Sequence, residues 1–373
     1  MSIWSFPTKI VFGPGEIMRL GHETKALDVS RVLVVSDAGV EKNGLLRAPL
    51  ASLAESGLIT SVFTGVDGNP TEQNIEDGAK AYAAHRAEAV VAVGGGSPMD
   101  AAKLIALRAK CSLPFEQLDD AIDGGVHIPA DVPPVITVPT TAGTGSEVGR
   151  SGVLTVRSTG RKTVIFSPRL LAKVALLDPE LTVSMPKGVT AATGFDALTH
   201  CIEAYLSLGD HPLADAIALG GIELVAQHLQ RAVEEPSNLE ARGGMMKAAM
   251  MGAIAFQKGL GACHSLAHPL SSEHGLHHGL ANALCLPAVI AFNRAAVAER
   301  VRRVGALLGD EDAVKAIAGL RARVGINGGL AGSGLREEHL PPLAKKALDD
   351  ACHRSNPRPC SEGDLLELYK ASL

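Results

Sequence analysis

The sequence predicts an α/β N-terminal domain built on a mostly parallel sheet, followed by an all-helical C-terminal domain. Three observations carry that reading. Short β-rich runs alternate with amphipathic stretches through the first half, the pattern of strands joined by crossover helices. After Pro186 helical periodicity dominates and β-branched runs become scarce. At 373 residues the chain is too long for one hydrophobic core, and the change of character places the two domains at 1–185 and 186–373.

Residues 31–36 (RVLVVS), 89–93 (AVVAV), 135–138 (VITV) and 174–177 (VALL) read as buried parallel strands. Each is short, rich in β-branched residues and closed by Asp, Gly or Pro-Thr. Amphipathic segments at 45–55 and 71–85 supply covering helices. The runs VLTV and KTVIF, joined by Arg157-Ser158-Thr159-Gly160, read as a hairpin appended to the sheet. In the second half, periodicity predicts helices over roughly 190–206, 213–231, 238–256, 280–294, 297–308, 311–323 and 362–371.

Composition excludes several classes. A net charge of −5 leaves no basic footprint for nucleic acid. The six cysteines are scattered with no CxxC pair, which points to reduced thiols and a cytoplasmic setting. The opening MSIWSFPTKIVFG lacks the leader of a secreted protein. The longest apolar run, around 284–292, contains a proline and is too short to span a membrane.

Two glycine-rich loops follow predicted strands. In Val93-Gly94-Gly95-Gly96-Ser97-Pro98-Met99-Asp100, Ser97 suits a helix N-cap, Pro98 the first helical position and Asp100 a capping-box acceptor. Bare backbone ahead of a helix N-terminus attracts an anion such as a pyrophosphate; taken alone, a simple tight turn explains it as well. The second loop, Pro139-Thr140-Thr141-Ala142-Gly143-Thr144-Gly145-Ser146-Glu147, adds hydroxyls and amides after another strand. Ligands of open α/β sheets bind at those carboxyl ends, so the two loops together favour a dinucleotide. Asp37, closing the first strand, suits a ribose hydroxyl and disfavours a 2′-phosphate, hence NAD over NADP; a turn or N-cap aspartate is the plain alternative. It precedes the glycine loop, so this is not an ordinary GxGxxG unit.

The second half carries the metal chemistry. Asp196 and His200 stand four residues apart and project from one helical face, beside an apolar stripe of Phe195, Leu198, Ile202 and Tyr205. Five of the thirteen histidines (His264, His268, His274, His277, His278) crowd into fifteen residues. Converging imidazoles and a carboxylate suit Fe²⁺ or Zn²⁺ better than Ca²⁺ or Mg²⁺.

Combined with FGPG at 12–15, GGGSPMDAAK at 94–103, DPEL at 178–181, GFDALTHCIEAY at 194–205, GACHSLAHPL at 261–270 and HHGLANALCLP at 277–287, these motifs resemble the iron-dependent (group III) alcohol dehydrogenases, relatives of glycerol dehydrogenase and dehydroquinate synthase. The resemblance covers essentially the whole chain. It implies a Rossmann-like dinucleotide domain, an all-α metal domain with the site between them, one Fe²⁺ replaceable by Zn²⁺, and a homodimer or larger assembly. It implies Asp196, His200, His264 and His278 as metal ligands, with His277 and His274 as alternatives to His278, and His268 near the substrate as the catalytic histidine. It places Asp37, Asn69, Gly95, Gly96, Ser97, Thr140, Thr141, Thr144 and Lys162 against the nucleotide, Lys162 reading equally as a hairpin lysine. The chain departs from the family at 271–278: Glu273 and His274 stand where aromatics are usual and His277 where proline is, which predicts a roomier or more polar pocket.

The implied reaction is metal-assisted hydride transfer between a small alcohol (or its aldehyde or ketone) and NAD, with His268 passing the hydroxyl proton. Two alternatives stand beside it. One is a dehydroquinate-synthase-like lyase that uses NAD transiently, disfavoured by the scarcity of Lys and Arg near the predicted ligands. The other is a structural oligomer whose metal braces its helices.

Overall fold

The computed structural model describes residues 8–158 and 160–373, and Thr159 of the predicted hairpin turn and the first seven residues lie outside the described residues. Backbone packing divides these into two units: the chain up to Thr141 with Ser146–Ser184, and Ala142–Gly145 with Met185–Leu373.

The first unit holds eight strands: β1 (Lys9–Phe12), β2 (Arg31–Val35), β3 (Ile59–Phe63), β4 (Ala89–Gly94), β5 (Val135–Pro139), β6 (Ser151–Thr155), β7 (Lys162–Phe166) and β8 (Val174–Leu177). Six form a parallel sheet in the order β1-β8-β5-β4-β2-β3, while β6 and β7 pair antiparallel as a separate two-stranded sheet. Five helices belong to this unit: α1 (Leu20–Lys25), α2 (Ala38–Lys42), α3 (Arg47–Glu55), α4 (Glu72–His85) and α5 (Gly96–Arg108). The strands' alternation sorts their side chains into two cores. Leu33, Val35, Val90, Ala92 and Val135 pack with Ile75 of α4 and Met99 of α5 on one face. Val32, Val34, Val91, Val93 and Ile136 pack with Leu20 of α1 and Leu53 of α3 on the other. With both faces covered, the central strands need apolar residues at every position.

The four predicted strands are all present, and β1 and β3 are additions. Both are sheet edges: β3 has only exposed and half-buried residues, and Ile59 is 52% exposed. An edge strand lacks the continuous apolar run by which a central one is recognised.

A buried cation ties the glycine-loop region together. Lys103 on α5 is fully buried and donates to the Ser146 carbonyl (2.7 Å), the Ser146 hydroxyl (2.8 Å) and the Ser151 carbonyl (2.9 Å). The Asp100 carboxylate stands 3.7 Å from it and also accepts from Ser146 Oγ. Burial pushes the Glu147 carboxyl up to about 7 despite Lys103 nearby. Removing the cation strands Asp100 and several carbonyls, so Lys103→Met is expected to cost about 3–5 kcal/mol of stability. Urea unfolding followed by circular dichroism checks this; a loss below about 1 kcal/mol would show the network to be dispensable.

The second unit is helical: α6 (Lys187–Leu206), α7 (Pro212–Glu234), α8 (Leu239–Ala255), α9 (Ala262–His274), α10 (His278–Asn293), α11 (Ala298–Leu308), α12 (Ala313–Arg323), α13 (Leu340–Asp349) and α14 (Glu362–Ala371). Helix α6 is not the one-sided amphipathic element its apolar stripe predicts. It is buried around its whole circumference from Thr190 to Leu206, packed against α7, α8 and α10. Small residues allow this approach: a Cβ on Gly194 would meet Leu229 at 2.2 Å, and one on Gly252 would meet His200 Cβ at 2.9 Å. Among the described residues no helix is long and apolar enough to cross a membrane, and all six cysteines are free.

Candidate active site

In the first unit, the chain leaves β2 for β3 on one side and returns through β4 on the other. The sheet's switch point therefore falls between β2 and β4, where open α/β sheets bind ligands at the strands' carboxyl ends. Ser36 after β2 donates to the Val93 carbonyl of β4 (2.7 Å), and the Thr140 amide donates to Gly94 O (2.9 Å), so the three strand ends adjoin. Gly94 adopts φ 153°, a backbone disfavoured for other residues.

Helix α5 begins at Gly96, with Gly95 as its N-cap. Ser97 is thus not the N-cap its local sequence suggests; its hydroxyl donates to Gly68 O at 2.6 Å. Asp100 is engaged by Ser146 and by the Val153 amide rather than in a capping box. The glycines start the helix earlier than the Ser-Pro pattern indicates, and both polar side chains turn to neighbouring segments.

Asp37 caps α2, its Oδ1 accepting from the Val40 amide at 2.9 Å. Asn69 lies exposed beyond β3, and Thr140 and Thr141 follow β5, Thr141 lying 3.4 Å from where a Gly95 Cβ would stand. Lys162 opens β7, paired with Thr155, and burial lowers its ammonium pKa although Asp100 opposes this. Thr144 falls in the segment grouped with the helical unit.

In the second unit, Asp196 and His200 lie on α6, His264 and His268 on α9, and His278 at the start of α10. Donor atoms of Asp196, His200 and His264 lie within 4.8 Å of one another, and all three residues are buried. His278 Nε2 is 3.4 Å from Asp196 Oδ1, and His264 Nε2 is 3.9 Å from the same oxygen. The His200 and His264 rings stack at 4.6 Å between centroids, and those of His268 and His278 at 5.3 Å. Burial would raise the Asp196 carboxyl, but the imidazoles of His200, His278 and His264 outweigh it and hold it down to about 2. Burial pushes His200 down to about 4 and His278 well below the usual range, so both are neutral near pH 7 with lone pairs available. Burial also acts against a charged His264, but the adjoining carboxylates of Glu203 and Asp196 prevail and raise its pKa.

Glycine again sets the approach. Immediately after His278, a Cβ on Gly279 would stand 2.1 Å from the Ala192 carbonyl and 3.2 Å from Asp196 Cβ. Gly279→Ala is expected to push α10 off α6 and cost about 1–3 kcal/mol, read as a lower urea midpoint at unchanged slope.

Sequence reasoning missed four features here. Helix α9 itself was absent from the predicted helices, because Pro269 interrupts a His- and Ser-rich segment. Asp350 accepts from His268 Nδ1 (2.7 Å), from Ser265 Oγ (2.7 Å) and from the Cys352 amide (2.8 Å). Glu203 meets His264 Nδ1 at 2.6 Å. Asn282 donates to Asp196 Oδ1 at 2.8 Å, with the Nε2 atoms of His278 and His264 at 3.3 and 3.4 Å. Of the departing segment, Glu273 and His274 turn outward: Glu273 pairs with Lys346 at 2.6 Å, and the His274 ring lies 5.3 Å from that of His339. His277 is exposed, and Ser271 is buried with its hydroxyl unpartnered.

A parallel sheet with anion-attracting loops at its switch point and, in the helical unit, a buried carboxylate among imidazoles define a metal-dependent oxidoreductase. The chain belongs to the iron-containing alcohol dehydrogenase family. It matches that family's N-terminal description, iron-containing alcohol dehydrogenase, over residues 7–179, and the C-terminal region of the Fe-containing alcohol dehydrogenase family over 190–373. It is 38% identical to 4-hydroxybutyrate dehydrogenase of Cupriavidus necator, with all of both chains covered. Its structure matches that of a 1,3-propanediol oxidoreductase with a TM-score of 0.96 at 35% identity, covering all of both chains. It also matches sulfoacetaldehyde reductase from Bifidobacterium kashiwanohense in complex with NAD⁺, with a TM-score of 0.91 at 31% identity, covering 100% of this chain and 98% of that one.

Proposed function

We propose that this alcohol dehydrogenase transfers hydride between a short-chain alcohol, or its aldehyde, and NAD(H), using Fe²⁺ or Zn²⁺ held by Asp196, His200, His264 and His278. One observation carries the reading: a carboxylate and three imidazoles from α6, α9 and α10 face one another in a buried position. Their chemistry and spacing fit a first-row divalent ion. Ligands bound at ~2.1 Å in a tetrahedral array stand about 3.4 Å apart, and Asp196 Oδ1 and His278 Nε2 are separated by 3.4 Å. The neutral state of His200 and His278 leaves no proton to displace there.

The metal supplies Lewis acidity that favours the ionised form of the substrate hydroxyl. His268 moves the hydroxyl proton at Nε2, and Asp350 holds its Nδ1–H, fixing tautomer and ring orientation. The N-terminus of α5, with Gly95, Gly96 and Ser97, suits the pyrophosphate. Thr140, Thr141 and Thr144 supply further polar contacts, and Asn69 and Lys162 complete the set that the family resemblance assigns to the nucleotide. Asp37 keeps one carboxylate oxygen in its cap and offers the other to ribose hydroxyls, favouring NAD over NADP.

The names of the relatives support a substrate class. 4-Hydroxybutyrate, 1,3-propanediol and sulfoacetaldehyde are short chains with a polar group opposite the reacting carbon. The test is to load the chain with Fe²⁺ or Zn²⁺ and follow absorbance of the reduced coenzyme with ethanol, 1,3-propanediol and 4-hydroxybutyrate, each against NAD and NADP. Metal-dependent growth with NAD, strongest for the substituted alcohols, is expected. No turnover with any metal, or a product without net coenzyme reduction, would remove the proposal.

A further inference from the structure

Glu203 lies on α6, one turn beyond His200 and two beyond Asp196, so the three share a face of the helix. It is 4% exposed. Its Oε2 meets His264 Nδ1 at 2.6 Å and accepts from the amides of Gly261 (3.1 Å) and His264 (3.4 Å), while Oε1 accepts from the Cys263 amide at 2.6 Å. Helix α9 starts from Gly261, whose missing side chain offers no cap, and a Cβ there would stand 2.7 Å from Glu203 Oε1. Glu203 therefore caps α9 from another helix and grips the first imidazole on it.

Among the described residues, no lysine or arginine forms an ion pair with Glu203, which pairs with His264. A buried carboxylate without a cation is costly, and helix-terminal amides offset only part of that cost. A glutamine has one carbonyl oxygen: it can accept from the Cys263 amide, but its NH2 cannot accept from the groups that meet Oε2, and it carries no charge. What the charge adds is aimed through His264. With Nδ1–H donated to Glu203, Nε2 carries the lone pair and faces Asp196 Oδ1. The two buried carboxylates, Asp196 and Glu203, together balance a divalent cation among neutral imidazoles.

We infer that Glu203 is the positioning residue of the metal centre: it fixes the tautomer and orientation of His264, strengthens that imidazole as a donor, and supplies the second negative charge that makes the buried site neutral when a divalent metal binds. This rests on the ligand set proposed above. Losing such an outer carboxylate typically weakens metal binding about 10–100-fold.

The experiment compares wild type with Glu203→Gln, which keeps an oxygen for the Cys263 amide. Metal affinity is read by competition with a chromophoric chelator for Zn²⁺, the ligand field from the visible absorption of the Co²⁺ form, and folding from thermal unfolding of the metal-free chains. The expected result is Zn²⁺ affinity 10–100-fold weaker and a shifted Co²⁺ band, beyond any change in apo-protein midpoint. A variant with a lowered apo midpoint but wild-type affinity and an unmoved Co²⁺ band would reduce Glu203 to a helix cap and overturn the inference. Wild type that binds neither metal would overturn the ligand set itself, and the inference with it. Should E203Q fail to fold, Gly261→Ala, which crowds Glu203 Oε1 while leaving its charge, is expected to weaken affinity and shift the same band; no change in either would overturn the inference.

Discussion

Asp196→Asn is expected to lower NAD-linked alcohol turnover by about 10³-fold or more and to leave the chain with little bound metal. Asparagine keeps the shape and the contact with Asn282 but removes the charge around which the site is organised. His278 and His264 stand 3.4 and 3.9 Å from Asp196 Oδ1, and the carboxyl is held down to about 2 by the surrounding imidazoles. The same shift fixes the pH response. A carboxyl whose folded pKa is depressed stabilises the native state above its unfolded value near 4, and that contribution is lost as pH falls through about 2. Metal retention fails earlier on acidification than folding does, since protons compete for His200 and His278 as well. Metal per chain by mass spectrometry and coenzyme absorbance on the same sample check the substitution. Full metal content together with near-normal turnover in Asp196→Asn would remove this residue from the ligand set.

What the sequence made legible follows the range of the interactions involved. Strands β2, β4, β5 and β8 were visible because both their faces are buried and every position must be apolar. Strands β1 and β3 were not, because an edge strand has only a partial requirement. Helix α6 was visible as a helix but misjudged in surroundings: Gly194 on it and Gly252 on α8 let α7 and α8 approach closely, and the helix is buried on all sides. At the site, spacing put Asp196 with His200 and crowding put His264, His268 and His278 in one cluster, and the structure brings these five residues together. Of the departing segment, Glu273, His274 and His277 are exposed and Ser271 is the buried polar residue. The residues that orient others were out of reach. Asp350 stands 82 positions from the histidine it holds and Glu203 stands 61 from His264. No local pattern marks a carboxylate whose partner is fixed only by tertiary packing. A search for buried acids in helices without a neighbouring Lys or Arg would have raised Glu203.

His268→Ala is expected to reduce kcat by about 10²–10⁴-fold while leaving metal content and coenzyme affinity near normal. His268 sits a turn after His264 with its ring 6.0 Å from that of His264, and its Nδ1 is committed to Asp350. Its Nε2 is therefore the atom available for proton transfer. Burial acts to raise the Asp350 carboxyl, yet the adjoining His268 prevails and lowers it strongly, so Asp350 stays ionised through the working range and holds the His268 ring. Asp350→Asn withdraws that charge. The variant should show a lower maximal kcat, because the imidazole loses the carboxylate that fixes its tautomer and orientation. The two substitutions should also be non-additive, since Asp350 acts through His268: in a His268→Ala background, Asp350→Asn is expected to change kcat by less than about threefold. A small exogenous base such as imidazole should restore part of the turnover in His268→Ala. If His268→Ala instead stripped the metal, His268 would belong among the ligands. If Asp350→Asn left kcat unmoved, Asp350 would hold Ser265 and the start of the 352–355 turn and contribute nothing to proton transfer.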